Sequence, residues 1–304
     1  MNDAERMLIQ FICNRDTQST REQAKIILNS ISSKSDEQFK EKCLKKLNTQ
    51  DGKFIELPYS MKDILTCENV DDFPEDRFYI RDSEKRIVDK IIKARKVASV
   101  LEEKKISYHP AAILYGESGT GKTMLARYIA YKMKLPFAYI KVSGIMDSML
   151  GGTQTKLNRV FEYARENQCL MCFDGMDYLG MKRGQKDDVG EMNRIVISLM
   201  QELDITGNNC VIIGTTNRFD RLDPALVRRF PICEEIKRLD GNGIRKLASM
   251  FLDSTDTPIN QNEFDELVQL AYPSATQNFV SELCTRYIVD KVSSESEGEH
   301  EQRD

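Results

Sequence analysis

Both ends of the chain place apolar residues at helical spacing, whereas the middle alternates short apolar runs with helical stretches. Over residues 1–50 the series Leu8, Ile9, Ile12, then Ala24, Ile27, Leu28, Ile31, then Phe39, Cys43, Leu44, Leu47 predicts short helices. They form an N-terminal helical extension that either packs on its neighbours or recruits a partner. Residues 51–79 contain Pro58 and Pro74, several acids and little periodicity, and read as a linker lying across the next domain. From residue 80 to 238 the pattern changes. Ile87, Ile91, Ala94 and Val97 predict a helix; strands follow at 111–115, at 137–142, at 169–173 with Asp174 at the end, and at 210–214 before Thr-Thr-Asn. Helices are predicted between them, at 155–167 and 189–203. This alternation predicts an α/β domain, a parallel sheet sandwiched by helices, with its ligand at the carboxyl ends of the strands. Residues 239–292 return to helical spacing, with Ile244, Leu247, Phe251, Leu267, Leu283 and Ile288, and read as a small helical domain. Residues 293–304 lack apolar side chains and are expected to be a disordered acidic tail.

The most informative stretch is 111–128, Ala-Ala-Ile-Leu-Tyr-Gly-Glu-Ser-Gly-Thr-Gly-Lys-Thr-Met-Leu-Ala-Arg-Tyr, an apolar strand running through a glycine loop into a helix. Gly116, Gly119 and Gly121 leave room for backbone N–H groups to converge on phosphates, and the helix that opens at Lys122 adds the positive end of its dipole. Lys122 is expected to reach the outer phosphates. Thr123 offers its hydroxyl to the magnesium ion that bridges them. Asp174, at the end of an apolar strand, is placed to hold that ion through its water shell.

Composition narrows the classes without choosing among them. Lys and Arg number 44 against 48 Asp and Glu, a net charge of −4, so no global charge argues for nucleic acid or an anionic membrane. No apolar run approaches the ~18 residues of a membrane helix, and a cytoplasmic location is expected. Of eight cysteines only Cys169 and Cys172 have C-x-x-C spacing. They sit inside an apolar strand without partner ligands nearby, which favours buried reduced thiols over zinc. With His109 and His300 the only histidines, a histidine-based metal or catalytic site is not expected.

Three motifs in order resemble those of the AAA family of ring-forming ATPases, over about residues 70–290. Gly116-Glu-Ser-Gly-Thr-Gly-Lys-Thr is similar to the family's first Walker motif, and Leu170-Met-Cys-Phe-Asp-Gly-Met-Asp to its second. Residues 212–230, Ile-Ile-Gly-Thr-Thr-Asn-Arg-Phe-Asp-Arg-Leu-Asp-Pro-Ala-Leu-Val-Arg-Arg-Phe, resemble its second region of homology. The resemblance implies ATP and magnesium as ligands, a P-loop NTPase core, and ATP contacts from Gly116, Glu117, Ser118, Gly119, Thr120, Gly121, Lys122, Thr123 and Met124. It makes Asn217 a sensor of the γ-phosphate and of the attacking water. It makes Arg228 and Arg229 arginine fingers for a neighbouring subunit, without deciding which of the two touches phosphate. It also implies a homo-oligomeric ring, expected as a hexamer, that acts on a protein substrate; the helical domain becomes a lid in which Ala275 is a candidate backbone contact for adenine and ribose.

Two departures from the family pattern bear on activity. The substrate-gripping pore loop usually carries an aromatic residue two before a glycine; here Met149 stands there, with Leu150, before Gly151-Gly152. The second lies at Gly175, where the family has the glutamate that polarises water. Glycine takes no proton, and loss of a positioned base typically forfeits ~10² to 10⁴ in rate. The chain is therefore expected to bind ATP well and hydrolyse it slowly, unless Asp177 or Glu191 substitutes. Two other functions stay open: a nucleotide-switched scaffold, and a DNA-handling motor.

Overall fold

The computed structural model describes residues 64–106, 108–146, 153–179, 189–206 and 210–301, together with positions 6, 7, 23, 24, 26–28, 30 and 40. The chain divides into two compact units, Met1–Phe54 and Ile55–Asp304. In the first, every described residue is helical, with Leu28 buried and Ile26 exposed, as an amphipathic helix requires.

The second unit begins with β1 (Leu65–Glu68) and α1 (Asp82–Glu103), followed by β2 (Ala111–Tyr115), α2 (Lys122–Met133), β3 (Phe137–Lys141) and the short α3 (Val142–Met146). Next come α4 (Thr153–Asn167), β4 (Leu170–Asp174), α5 (Val189–Ile205), β5 (Val211–Thr216), the four-residue α6 (Pro224–Val227) and β6 (Ile232–Glu235). The strands form one sheet in the order β1-β3-β4-β5-β2-β6. All neighbours are parallel except β1 and β3.

Side chains alternate between the two faces of each strand. Ile113, Met171, Phe173 and Ile212 pack with Leu157, Phe161, Leu199 and Leu203 of α4 and α5; Ala112, Leu114, Cys172 and Ile213 pack with Ile87, Ile91, Leu125 and Ile129 of α1 and α2. Covering both faces is why the inner strands read as continuous apolar runs. Phe161 and Phe173 stack with ring centroids 5.6 Å apart, each fully buried. Withdrawing such a ring from water contributes about 1.5–3 kcal/mol.

The two edge strands depart from the sequence-based expectation. Residues 65–68 fall in the stretch read as a linker, yet they pair antiparallel with β3 and bury Leu65 and Cys67. Four residues are too few to show a period, and Glu68 disguises the strand; it is held there by Arg127, with Nε 2.6 Å from its carboxylate. β6 likewise hides behind two acids, Glu234 and Glu235.

Three helices close the chain: α7 (Gly241–Asp253), α8 (Gln261–Ala271) and α9 (Gln277–Glu301). Leu247, Val268, Val280 and Cys284 form their core. The helix α9 continues to Glu301, through residues whose composition predicts a disordered tail. Lack of apolar residues removes a packing face, but a glutamate-rich stretch without proline still propagates a helix already nucleated by the preceding turns.

Candidate nucleotide site

The loop between β2 and α2 keeps its shape because three glycines adopt positive φ: Gly116 at 143°, Gly119 at 78° and Gly121 at 96°. Gly116 has a second constraint, since a Cβ there would stand 2.3 Å from the Ile236 carbonyl oxygen. Gly119 and Gly121 lie beneath the start of α9, where a Cβ would come within 3.2 Å of Thr276 and 3.1 Å of Gln277. The Asn278 N–H donates to the Gly119 carbonyl at 3.1 Å. Thr120, buried, closes the loop by donating to the Glu117 carbonyl at 2.9 Å.

Lys122 turns its ammonium back into this loop. Nζ donates to the carbonyls of Gly116 (3.0 Å) and Glu117 (2.7 Å) and to Asn217 Oδ1 (2.8 Å). Burial pulls its pKa below the usual lysine range, opposed by the charges of Asp174, Asp177 and Glu117. Asn217 follows β5, and Asp177 braces that turn: its Oδ1 accepts from the Thr216 hydroxyl at 3.1 Å and from the Asn217 N–H at 3.4 Å. Asp177 is thus engaged as a loop acid. The Glu191 side chain, Met149 and Leu150 lie outside the described residues.

Asp174 receives three hydroxyls. Thr123 (2.9 Å) and Thr215 (2.6 Å) donate to Oδ1, and Tyr139 (2.9 Å) to Oδ2. Burial, then the Asp174 hydrogen bond, push the Tyr139 phenol up to about 12. A hydroxyl and a carboxylate in contact beside a phosphate-shaped loop are the hard oxygen donors that magnesium takes, so the residues fit that ion. Directly after Asp174, Gly175 has φ +78°, and a Cβ there would stand 3.2 Å from the Tyr178 ring. The turn is closed by the Tyr178 N–H donating to the Gly175 carbonyl at 3.1 Å.

The two arginines part company. Asp223 caps α6 by accepting from the Ala225 N–H at 2.7 Å, and Pro224 fills the first helical position. Arg229 is tied within its own chain: Nε and a terminal nitrogen meet both Asp204 oxygens at 3.0 and 2.9 Å, and another nitrogen donates to the Ala225 carbonyl at 2.9 Å. Arg228 is exposed, and among the described residues its side chain has no hydrogen-bond or ion-pair partner. Both line a shallow cleft with Tyr108, His109, Asp204 and Pro231.

Ala275 is held in the left-handed region at φ +49°, with its N–H donating to the Ala271 carbonyl and its own carbonyl accepting from the Leu239 N–H. The glycine loop is touched instead by the next three residues, Thr276 to Asn278. Sequence reasoning also passed over Arg238, whose guanidinium meets the Glu117 carboxylate, and Arg81, which donates to the carbonyls of Lys237 (2.8 Å) and Arg238 (2.7 Å). Nothing local in the sequence signals these contacts between residues far apart in the chain. Cys169 and Cys172 are buried free thiols, both pushed above the usual range by burial.

Residues 112–238 match the model of the AAA family, the ATPase family associated with various cellular activities. Residues 112–238 are thus similar to an AAA domain. The chain is similar to the peroxisomal ATPase PEX6 of Candida glabrata, 39% identical over a 168-residue alignment that covers 51% of this chain and 16% of that protein. It is also similar to PEX6 of Colletotrichum orbiculare, 41% identical over 124 residues (38% of this chain, 9% of that protein), and to pex6 of Schizosaccharomyces pombe, 40% identical over 122 residues (38% and 13%). The chain thus spans at most 16% of the length of these relatives. Among the described residues no helix is long and apolar enough to cross a membrane.

Proposed function

We propose that this chain is an ATP-binding AAA subunit that assembles into a hexameric ring, hydrolyses ATP slowly and remodels a protein partner in the cytoplasm. The observation that carries this reading is the meeting of Lys122, Thr123, Asp174 and Asn217 at the carboxyl ends of β2, β4 and β5, next to a glycine where a base is needed. Lys122 would exchange its two carbonyl partners for phosphate oxygens while Asn217 keeps the loop after β5 in reach. Magnesium would be held by Thr123 and, through water, by Asp174; when bound it neutralises phosphate charge. Arg228, exposed and without a partner among the described residues, would serve the neighbouring subunit, while Arg229 stays with Asp204 and stiffens the segment that carries it. Met149 and Leu150 would line the pore and grip the polypeptide.

A second reading, a scaffold that uses nucleotide only as an assembly switch, is favoured by the Gly175 turn, whose positive φ disfavours a residue with a side chain. Turnover separates the two. At saturating magnesium and ATP the expected rate lies ~10² to 10⁴ below the enzyme median of about 10 per second, together with ATP-dependent assembly in sedimentation. Vigorous turnover that disappears in Asp177→Asn or Glu191→Gln would overturn slow hydrolysis and name the base. A chain that stays monomeric with ATP at tens of micromolar, roughly the weak end of interface affinities, would overturn the ring.

A further inference from the structure

Asp174 closes β4, and its carboxylate is gripped from both flanking strands. Thr215 on β5 lies directly opposite it in register and bonds Oδ1. On the other flank the residue opposite Asp174 is Lys141, which is exposed; the bond to Oδ2 comes instead from Tyr139, which sits opposite Cys172. Tyr139 is therefore a diagonal neighbour. Offset by one strand spacing of ~4.8 Å and two residues of ~3.3 Å rise, the two backbones stand ~8 Å apart, a span that an aromatic side chain covers and a serine or threonine does not. Half-buried, its ring packs obliquely against Phe137 with centroids 6.5 Å apart, so the hydroxyl is delivered by a stem with little freedom.

We propose that Tyr139 is a positioning residue for the magnesium-binding carboxylate: by occupying Oδ2 of Asp174 it fixes which oxygen faces the ion. The inference rests on reading the glycine loop and Asp174 as a magnesium–nucleotide site. An ionised carboxylate has about four acceptor positions. Two on Oδ1 are taken by Thr123 and Thr215, and one on Oδ2 by Tyr139. Once Thr123 turns its hydroxyl to the metal, an Oδ1 position opens toward the ion, and Thr215 and Tyr139 are the two donors left to hold the group. Thr215 alone leaves the carboxylate free to pivot about its Oδ1 contact. Tyr139 removes that freedom, in the way that outer partners orient metal ligands elsewhere.

The test is a titration of the full chain with a fluorescent ATP analogue, once with magnesium and once with EDTA. Tyr139→Phe keeps the ring and its packing, so its affinity in EDTA should match that of the unmodified chain. Its affinity gain on adding magnesium should shrink about ten- to a hundredfold, the usual effect of losing an outer partner of a metal ligand, and excess magnesium should restore it. If the substituted chain keeps the full gain, or loses affinity equally in both titrations, the positioning role is overturned. An unmodified chain that binds no analogue in either titration would overturn the underlying site reading as well, so the two failures are distinguishable. Tyr139→Met repeats the measurement if the phenylalanine variant has a lowered melting temperature.

Discussion

The glycine loop before α2 and the glycine turn after β4 face the same volume but use glycine for opposite ends. In the loop, positive φ and crowding by Ile236, Thr276 and Gln277 demand the absence of a side chain, and what is gained is backbone that can wrap phosphate. In the turn, positive φ at Gly175 and the Tyr178 ring 3.2 Å from a Cβ disfavour a side chain, and on the proposed reading the group that is missing is the proton acceptor. On the proposed reading, binding and turnover would be separable in this site. Lys122, Thr123, Asp174 and Asn217 meet there, while Gly175 carries no side chain and holds a backbone angle that disfavours one.

Lys122→Ala should break the loop's half of the comparison most severely. Removing charge-assisted bonds worth ~1.5–3 kcal/mol each should weaken nucleotide binding by about a hundredfold or more, read by equilibrium titration. Gly175→Glu probes the other half. A residue forced into the left-handed region costs ~1–2 kcal/mol, so this variant should lower stability by about that amount in denaturant unfolding and leave turnover within about threefold of the parent. Adding Tyr178→Ala clears the ring away, and the double variant should then raise turnover by about tenfold or more, within the range a general base supplies. If the single variant alone does so, the turn is more pliant than its φ implies. Arg228→Ala should spare the melting temperature yet weaken ATP-dependent oligomers, whereas Arg229→Ala should cost about 0.5–1 kcal/mol by freeing Asp204, with sedimentation and thermal unfolding as the two readouts. The smallest effect is expected at Ala275, a non-glycine residue at positive φ. Ala275→Gly should stabilise by about 0.5–1 kcal/mol in the same unfolding assay, since strain relief outweighs the added chain entropy.

The family and the α/β class were legible because their signals are local: a strand, a loop with fixed glycine spacing, a helix, and apolar runs ending in Asp174 and Asn217. Edge strands were not, because β1 and β6 are four residues long and carry acids whose partners come from elsewhere, as Glu68 does from Arg127. Within the site, Tyr139 escaped notice because its role depends on register, two positions along a neighbouring strand, which the sequence of β3 does not encode. The difference between Arg228 and Arg229 depends on Asp204, 25 residues away along the chain. Gly175 reads as a missing carboxylate in the sequence; that its backbone also disfavours a replacement is visible only in the dihedral angle.

The connector between β6 and the C-terminal helices has a mechanical consequence. Arg81, braced by the buried Glu84, holds the carbonyls of Lys237 and Arg238, while the Arg238 side chain reaches back to Glu117 on the glycine loop. A connector pinned at two successive residues behaves as a stiff axle. A force on the C-terminal helices would then be delivered to α1 and the glycine loop instead of being absorbed by slack in between.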